Sequence, residues 1–179
     1  MQSFKEFLDE EKIYPKSFKA FTLDGVEKIC QYRKVNGSLT IADVDDFFTD
    51  LENFPSTVTG RFDIMRCDKL TSLEGGPLIV EADVTISTCP NLTTLAGIGK
   101  RYLKEIHGTF GITTSITSNI LGILTIKHLE NFYFFPKTPS TQRTNDAANI
   151  LKLHFDGDKD IMECHEELVK AGLKEYAKL

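Results

Sequence analysis

The chain has 179 residues, 41% hydrophobic and 26% charged, which suits a single domain with a core and excludes a disordered or membrane-embedded class. A net charge of −5 with no Lys/Arg run argues against holding duplex nucleic acid by its phosphates. No run approaches the roughly 18 consecutive apolar residues of a membrane span, and the opening MQSFKEFLDEEK lacks the apolar centre of a secretory signal, so a cytoplasmic location is expected.

Residues 1–34 read as an N-terminal helical cap. Ser3 is placed to cap a short helix carrying Phe4, Phe7 and Leu8, which Pro15 ends. A second helix is expected from Asp24 to Arg33, with Val26, Ile29 and Cys30 on one face.

From residue 35 to 135 one phrase recurs. Its copies begin Val35-Asn-Gly37-Ser-Leu39-Thr-Ile41, Val58-Thr-Gly60-Arg-Phe62-Asp-Ile64, Val80-Glu-Ala82-Asp-Val84-Thr-Ile86, Ile106-His-Gly108-Thr-Phe110-Gly-Ile112 and Ile120-Leu-Gly122-Ile-Leu124-Thr-Ile126. Alternating apolar and polar residues give each copy a half-buried strand, and apolar residues then return every third position, as in Cys67, Leu70 and Leu73 or Cys89, Leu92 and Leu95. The fifth copy is expected to continue through Leu129, Phe132 and Phe135. Spacings of 23, 22 and 26 residues suit a stacked coil, and the last, 14, implies that the array tightens or ends. Stacking puts the intervening residues in outward rows. The first is Ser38, Arg61, Asp83, Thr109 and Ile123; the second Thr40, Asp63, Thr85, Gly111 and Thr125; the third Ala42, Met65, Ser87, Thr113 and Lys127.

The fourth copy departs from the pattern. Its inward positions fall on Ser115 and Ser118, either as a decayed coil or as a loop remodelled for binding, and the insert from Gly99 to Glu105 is expected to form a helical turn. After the aromatic run Phe132–Phe135, Pro136 and Pro139 mark a connector to the C-terminal cap, residues 136–179. One helix should run from Asn145 to Phe155, burying Ala147, Ile150, Leu151 and His154. A second, from Lys159 to Gly172, should bury Ile161, Cys164, Leu168 and Val169, with Leu173 and Tyr176 following. The aromatic run is expected to hold the last coil against these helices.

The segments FDIMRCDKLTSLEGGP (62–77) and VTISTCPNLTTLAGIG (84–99) resemble the irregular leucine-rich repeats of bacterial and bacteriophage proteins. Cys67 and Cys89 stand three residues before a Leu where the common consensus has two, so a turn geometry different from the standard horseshoe is expected. The tail DIMECHEELVKAGLKEYAKL is similar to the closing helices of leucine-rich-repeat proteins from large tailed phages. Neither resemblance brings a defined activity.

Candidate chemistry is sparse. Asp156, Asp158, Asp160 and Glu167 have the acidic spacing of a calcium loop, but the glycine needed at its sixth position is Ile161, so carboxylates at a helix N-terminus are the better reading. Cys164 and His165 point about 100° apart on a helix and do not form a nucleophile and base. His107 and His128 have no Cys, Asp or Glu cluster at zinc spacing, so neither metal nor cofactor is expected. The four cysteines, at 30, 67, 89 and 164, read as reduced and buried.

The expected fold is therefore α+β: one domain built as a leucine-rich-repeat-like solenoid of about five short parallel strands between helical caps. The expected function is non-catalytic protein recognition on the sheet face, through Arg61, Asp63, Arg66, Asp83, Thr85 and Lys127. The phage resemblance implies an accessory protein that binds a host factor or defence component. The alternative is a small molecule or nucleotide held on the same face, using the Arg61/Arg66 pair.

Overall fold

In each repeat the apolar alternation is interrupted by a corner. Val35 closes one short strand, the chain bends through Asn36 and Gly37, and Leu39 opens another. The computed structural model, which describes residues 12–44, 48–114, 116–134, 141–157 and 159–179, thus gives the levels of the array two strands each, except the last, which has one. In chain order the elements are β1 (Ile13–Tyr14), β2 (Phe18–Ala20), α1 (Leu23–Ile29), β3 (Lys34–Val35), β4 (Leu39–Ala42), β5 (Thr57–Val58), β6 (Phe62–Met65), β7 (Ile79–Val80), β8 (Val84–Ser87), β9 (Glu105–Ile106), β10 (Thr109–Ile112), β11 (Asn131–Phe134), α2 (Thr141–Asp156) and α3 (Ile161–Lys170).

The strands form two parallel sheets. One is five-stranded, in the order β1-β3-β5-β7-β9, and the other six-stranded, β2-β4-β6-β8-β10-β11. Neighbouring strands come from successive coils, so the molecule is a parallel β-solenoid with helices at both ends, as the repeat predicts. Register stacks like on like. Leu39, Phe62, Val84, Phe110 and Phe132 form one inward column, and Ile41, Ile64, Ile86, Ile112 and Phe134 the next. Both columns are buried, as are Cys67, Leu70 and Leu73 with Cys89, Leu92 and Leu95 on the third side of the coil.

Two boundaries of the array differ from the sequence reading. The stretch around Pro15 belongs to the array itself: Tyr14 pairs with Val35 and Phe18 with Leu39, which adds a level before the first copy. The fifth copy does not start at Ile120. Residues Leu121–Thr125 form a 3-10 helix whose Ile123 is buried, and the next level is instead the segment 127–134, where Lys127 pairs with Glu105 and Asn131 with Thr109. The apolar spacing around Ile120 imitates a repeat because a tight helical plug also needs inward residues at short intervals.

Local structure refines the remaining expectations. Thr22 caps α1 by accepting the Gly25 N–H, and the helix ends at Ile29 rather than Arg33. The insert after Gly99 is a tight turn, not a helix. Gly99 and Leu103 have positive φ, and Tyr102 points inward with its hydroxyl donating to the Ala96 carbonyl at 3.1 Å. In the fourth level Thr114 and Ile116 are buried while Ser118 is half-buried. The expected helix of Ser3, Phe4, Phe7 and Leu8, together with Ser115, Phe135, Pro136, Pro139 and Asp158, lies outside the described residues.

At the C-terminal end α2 begins at Thr141, so Asn145 is inside the helix rather than its cap. Ala147, Leu151 and His154 are buried, and Phe155 packs edge-on against Phe132 at 5.2 Å. Asp160 caps α3 by accepting the Met162 and Glu163 N–H groups, and Gly172 with φ +75° follows the helix as a left-handed stop. Val169 is 46% exposed, on the opposite side from Cys164 and Leu168. The tail then joins the solenoid: Glu175 and Tyr176 carbonyls accept the Asn119 and Ile120 N–H groups, and the buried Thr144 hydroxyl donates to Ile116 O, with Tyr176 Oη 3.0 Å away.

Candidate functional site

Strand register decides which outward residues share a surface. On the six-stranded sheet Lys19, Thr40, Asp63, Thr85, Gly111 and Tyr133 form one row, and Ala42, Met65 and Ser87 the next. The face is open from β6 to β10, where Asp63, Met65, Thr85, Ser87, Thr109 and Thr113 are half-exposed. At β4 it is closed: Thr40 is 9% exposed and Ala42 0%, so these two members of the expected rows are not surface residues. At the other margin the Tyr133 ring lies across Gly111, and a Cβ there would come within 2.3 Å of it.

The predicted site residues divide by this geometry. Asp63 and Thr85 stand next to each other in the middle of the open face. Arg61 and Arg66 flank the two ends of β6, and each reaches to a neighbouring level. Arg61 Nε lies 3.3 Å from Asp83 Oδ2 one level on, and Arg66 makes a two-pronged contact with Asp43 one level back, at 2.5 and 2.6 Å. The Arg66 hydrogen bonds hold the Asp43 carboxyl below its usual range, and the guanidinium is correspondingly raised. Asp83 also accepts the Thr109 N–H at 3.0 Å, just as Ser17 accepts from Ser38 and Ser38 from Arg61. Asp83 therefore stitches levels together as well as lining the face. The Asp63 carboxylate has no ion-pair or hydrogen-bond partner among the described residues.

Lys127 is not part of this surface. It continues the five-stranded sheet beside Glu105, with Nζ 3.5 Å from the Glu105 carboxylate. Ile123 and Thr125 leave their rows for the same reason, since the segment that carries them is the 3-10 helix.

That shift of register creates a cluster that spacing alone does not reveal. Glu105, His107 and His128 bring their ligand atoms within 4.8 Å of one another, which corrects the expectation that the two histidines have no matching carboxylate. The two imidazoles stack at 4.5 Å with planes 23° apart. The signal in the sequence is Glu-Ile-His at 105–107 followed by His128 one coil length later, masked by the repeat-like apolar spacing that begins at Ile120.

Elsewhere the acidic and nucleophilic candidates have structural partners. Asp156 pairs with Lys152, Asp160 caps α3, and Glu167 meets the buried His154 at 2.8 Å. Cys164 is buried and His165 exposed. Burial pushes the Cys164 thiol up to about 12 and the half-buried Cys30 thiol to about 11. Cys67 is driven higher still, by its hydrogen bond to Cys89 and by burial. A groove of about 470 Å³ between β11 and α2 is lined by Tyr133, Gln142, Asn145, Asn149 and Lys152, but the Lys152 ammonium in it already contacts Asn131 and Asp156.

Comparison with protein families, curated proteins and solved structures finds no match to this chain. Among the described residues, no helix is long and apolar enough to cross a membrane.

Proposed function

We propose that the chain is a non-catalytic recognition module that binds a protein partner on the open face of the six-stranded sheet. The observation that supports this most is the row Asp63–Thr85 with Met65–Ser87 beside it. These half-exposed side chains stand in register over fully buried columns, so they form a fixed, nearly flat patch. Solenoids present such rows as extended binding surfaces, because the backbone of the patch is already ordered and only its side chains lose freedom at the moment of binding. Asp63 gives the patch a carboxylate without an internal cation, which suits a partner that offers a basic or hydrogen-bond-donating group. Arg61, Asp83 and Arg66 form its rim as paired charges, which set orientation more than affinity. Lys127 falls outside the patch. The resemblance of residues 62–99 to phage-type repeats adds a partner class, a host factor or defence component met in the cytoplasm.

A small molecule or nucleotide bound through Arg61 and Arg66 has less support, since both guanidinium groups are engaged with aspartates of adjacent levels. The test is affinity capture from a bacterial lysate with the native chain and with Asp63→Lys/Thr85→Lys in parallel, followed by binding of the purified partner. A protein retained by the native chain and lost by the double variant, at equal thermal stability, supports the reading. Equal retention by both moves the site off this face, and a co-purifying metabolite without a protein replaces the reading with the ligand-binding one.

A further inference from the structure

We propose that Glu105, His107 and His128 form a binding site for one divalent transition-metal ion, zinc being the best fit, which clips two neighbouring levels of the solenoid together. Glu105 and His107 flank the buried Ile106 at the end of β9, whereas His128 arrives from the next level. It does so through a local irregularity. His128 has φ +60°, a left-handed conformation uncommon for non-glycine residues that His adopts more readily than most, and Leu129 after it returns to the core at 5% exposure. By register His128 stands at the position of the inward Ile106, and the left-handed turn swings it outward onto His107.

The backbone around the three residues is fixed. Ile106 N–H donates to Lys127 O at 3.1 Å and Lys127 N–H to Lys104 O at 2.9 Å, while His107 N–H is held by Val80 O at 3.0 Å. Donor atoms already within 4.8 Å need only side-chain rotation to close around an ion, for which ligand bonds of about 2.0–2.2 Å are normal. Two imidazoles and one carboxylate suit zinc and its neighbours in the first transition row; calcium and magnesium prefer all-oxygen shells. Both histidines are exposed, so the remaining coordination positions face solvent. Lys127 is the opposing element: its ammonium lies 3.5 Å from Glu105 and competes with a cation for the same carboxylate.

Calorimetric titration of the purified, untagged chain with Zn²⁺, and visible absorption with Co²⁺, test the site. One equivalent should bind, and Zn²⁺ should raise the melting temperature because the ion binds the folded chain preferentially. Loss of an outer partner of a metal ligand typically costs 10–100-fold, so His107→Ala and His128→Asn, the latter chosen because Asn tolerates the left-handed backbone, should each weaken binding at least about tenfold. Lys127→Met should tighten it. Absence of binding, or binding and thermal shift unchanged in the His107→Ala/His128→Asn double variant, overturns the proposal; circular dichroism of the variants confirms that they are folded.

Discussion

Arg66 and Asp43 show how much of the surface charge in this chain is committed to neighbouring levels. Their carboxylate–guanidinium contact spans one coil, and the Asp43 carboxyl titrates below its usual value of 3.8 because the guanidinium hydrogen-bonds its charged form. A lowered folded value means that the pairing supplies stability above 3.8 and loses it as pH falls through the lowered value. Asp43→Asn, which keeps the left-handed backbone at φ +58°, should therefore melt below the native chain at neutral pH. The gap should close on acidification, and a gap independent of pH would assign the loss to something other than charge. The thiols give a second test at this scale. Since the thiolate is the reactive form, and burial raises Cys30 and Cys164 while the hydrogen bond to Cys89 together with burial raises Cys67, a thiol reagent at neutral pH should modify these slowly in the folded protein. All four cysteines should react at once in denaturant; rapid native labelling at Cys67 would contradict its place in the core.

The four inner levels of the solenoid turn their corners on a small residue, Gly37, Gly60, Ala82 or Gly108, and Gly60 shows why. A Cβ there would lie 2.6 Å from Ser38 N and 2.7 Å from Gly37 C, both backbone atoms of the preceding level that have no room to move. Gly60→Ala should cost about 1–3 kcal/mol as an overpacked contact, measured by chemical denaturation. The inward columns predict a larger and oppositely caused loss. Leu92 is fully buried, so Leu92→Ala should cost about 2–5 kcal/mol through lost burial and the cavity left behind. A Leu92→Ala cost below about 1 kcal/mol would mean that the column is not packed as described. The C-terminal helices belong to the same scale. Phe155 on Phe132 and Thr144 between Ile116 and Tyr176 join α2 to the last levels, so they cover a sheet edge and core end that would otherwise be open.

Over the whole molecule, stability should be graded along the stack. The central strands β6, β8 and β10 have a level on either side, whereas β2 is an edge. Native-state hydrogen exchange should therefore find the slowest amides in those central strands, with protection falling toward β1 and β2. Uniform protection from end to end would indicate one cooperative unit with no weak terminus. The same one-dimensional order produces both surfaces of interest: the Asp63–Thr85 patch and the Glu105/His107/His128 cluster each combine residues that are a coil apart in sequence and adjacent in space.

The sequence by itself determined the solenoid, its inward columns and its helical end, because a repeated alternation of apolar residues has few ways to bury itself other than by stacking. The columns through Leu70 and Leu73 or Leu92 and Leu95 were readable residue by residue, and Asp63 with Thr85 could be placed in one row. Tertiary structure alone decided the ends and the partners. Tyr14, Phe18 and Ala20 pair with Val35, Leu39 and Ile41 and share their spacing, but Pro15 and Lys16 at the corner, where the next copy has Asn36 and Gly37, disguise this level as a helix end. Ile120 satisfies the pattern yet enters a 3-10 helix, since burial can be met by either geometry. Which aspartate each arginine meets, and that His107 meets His128, depend on a register that a one-residue shift changes, and only the completed stack fixes that register.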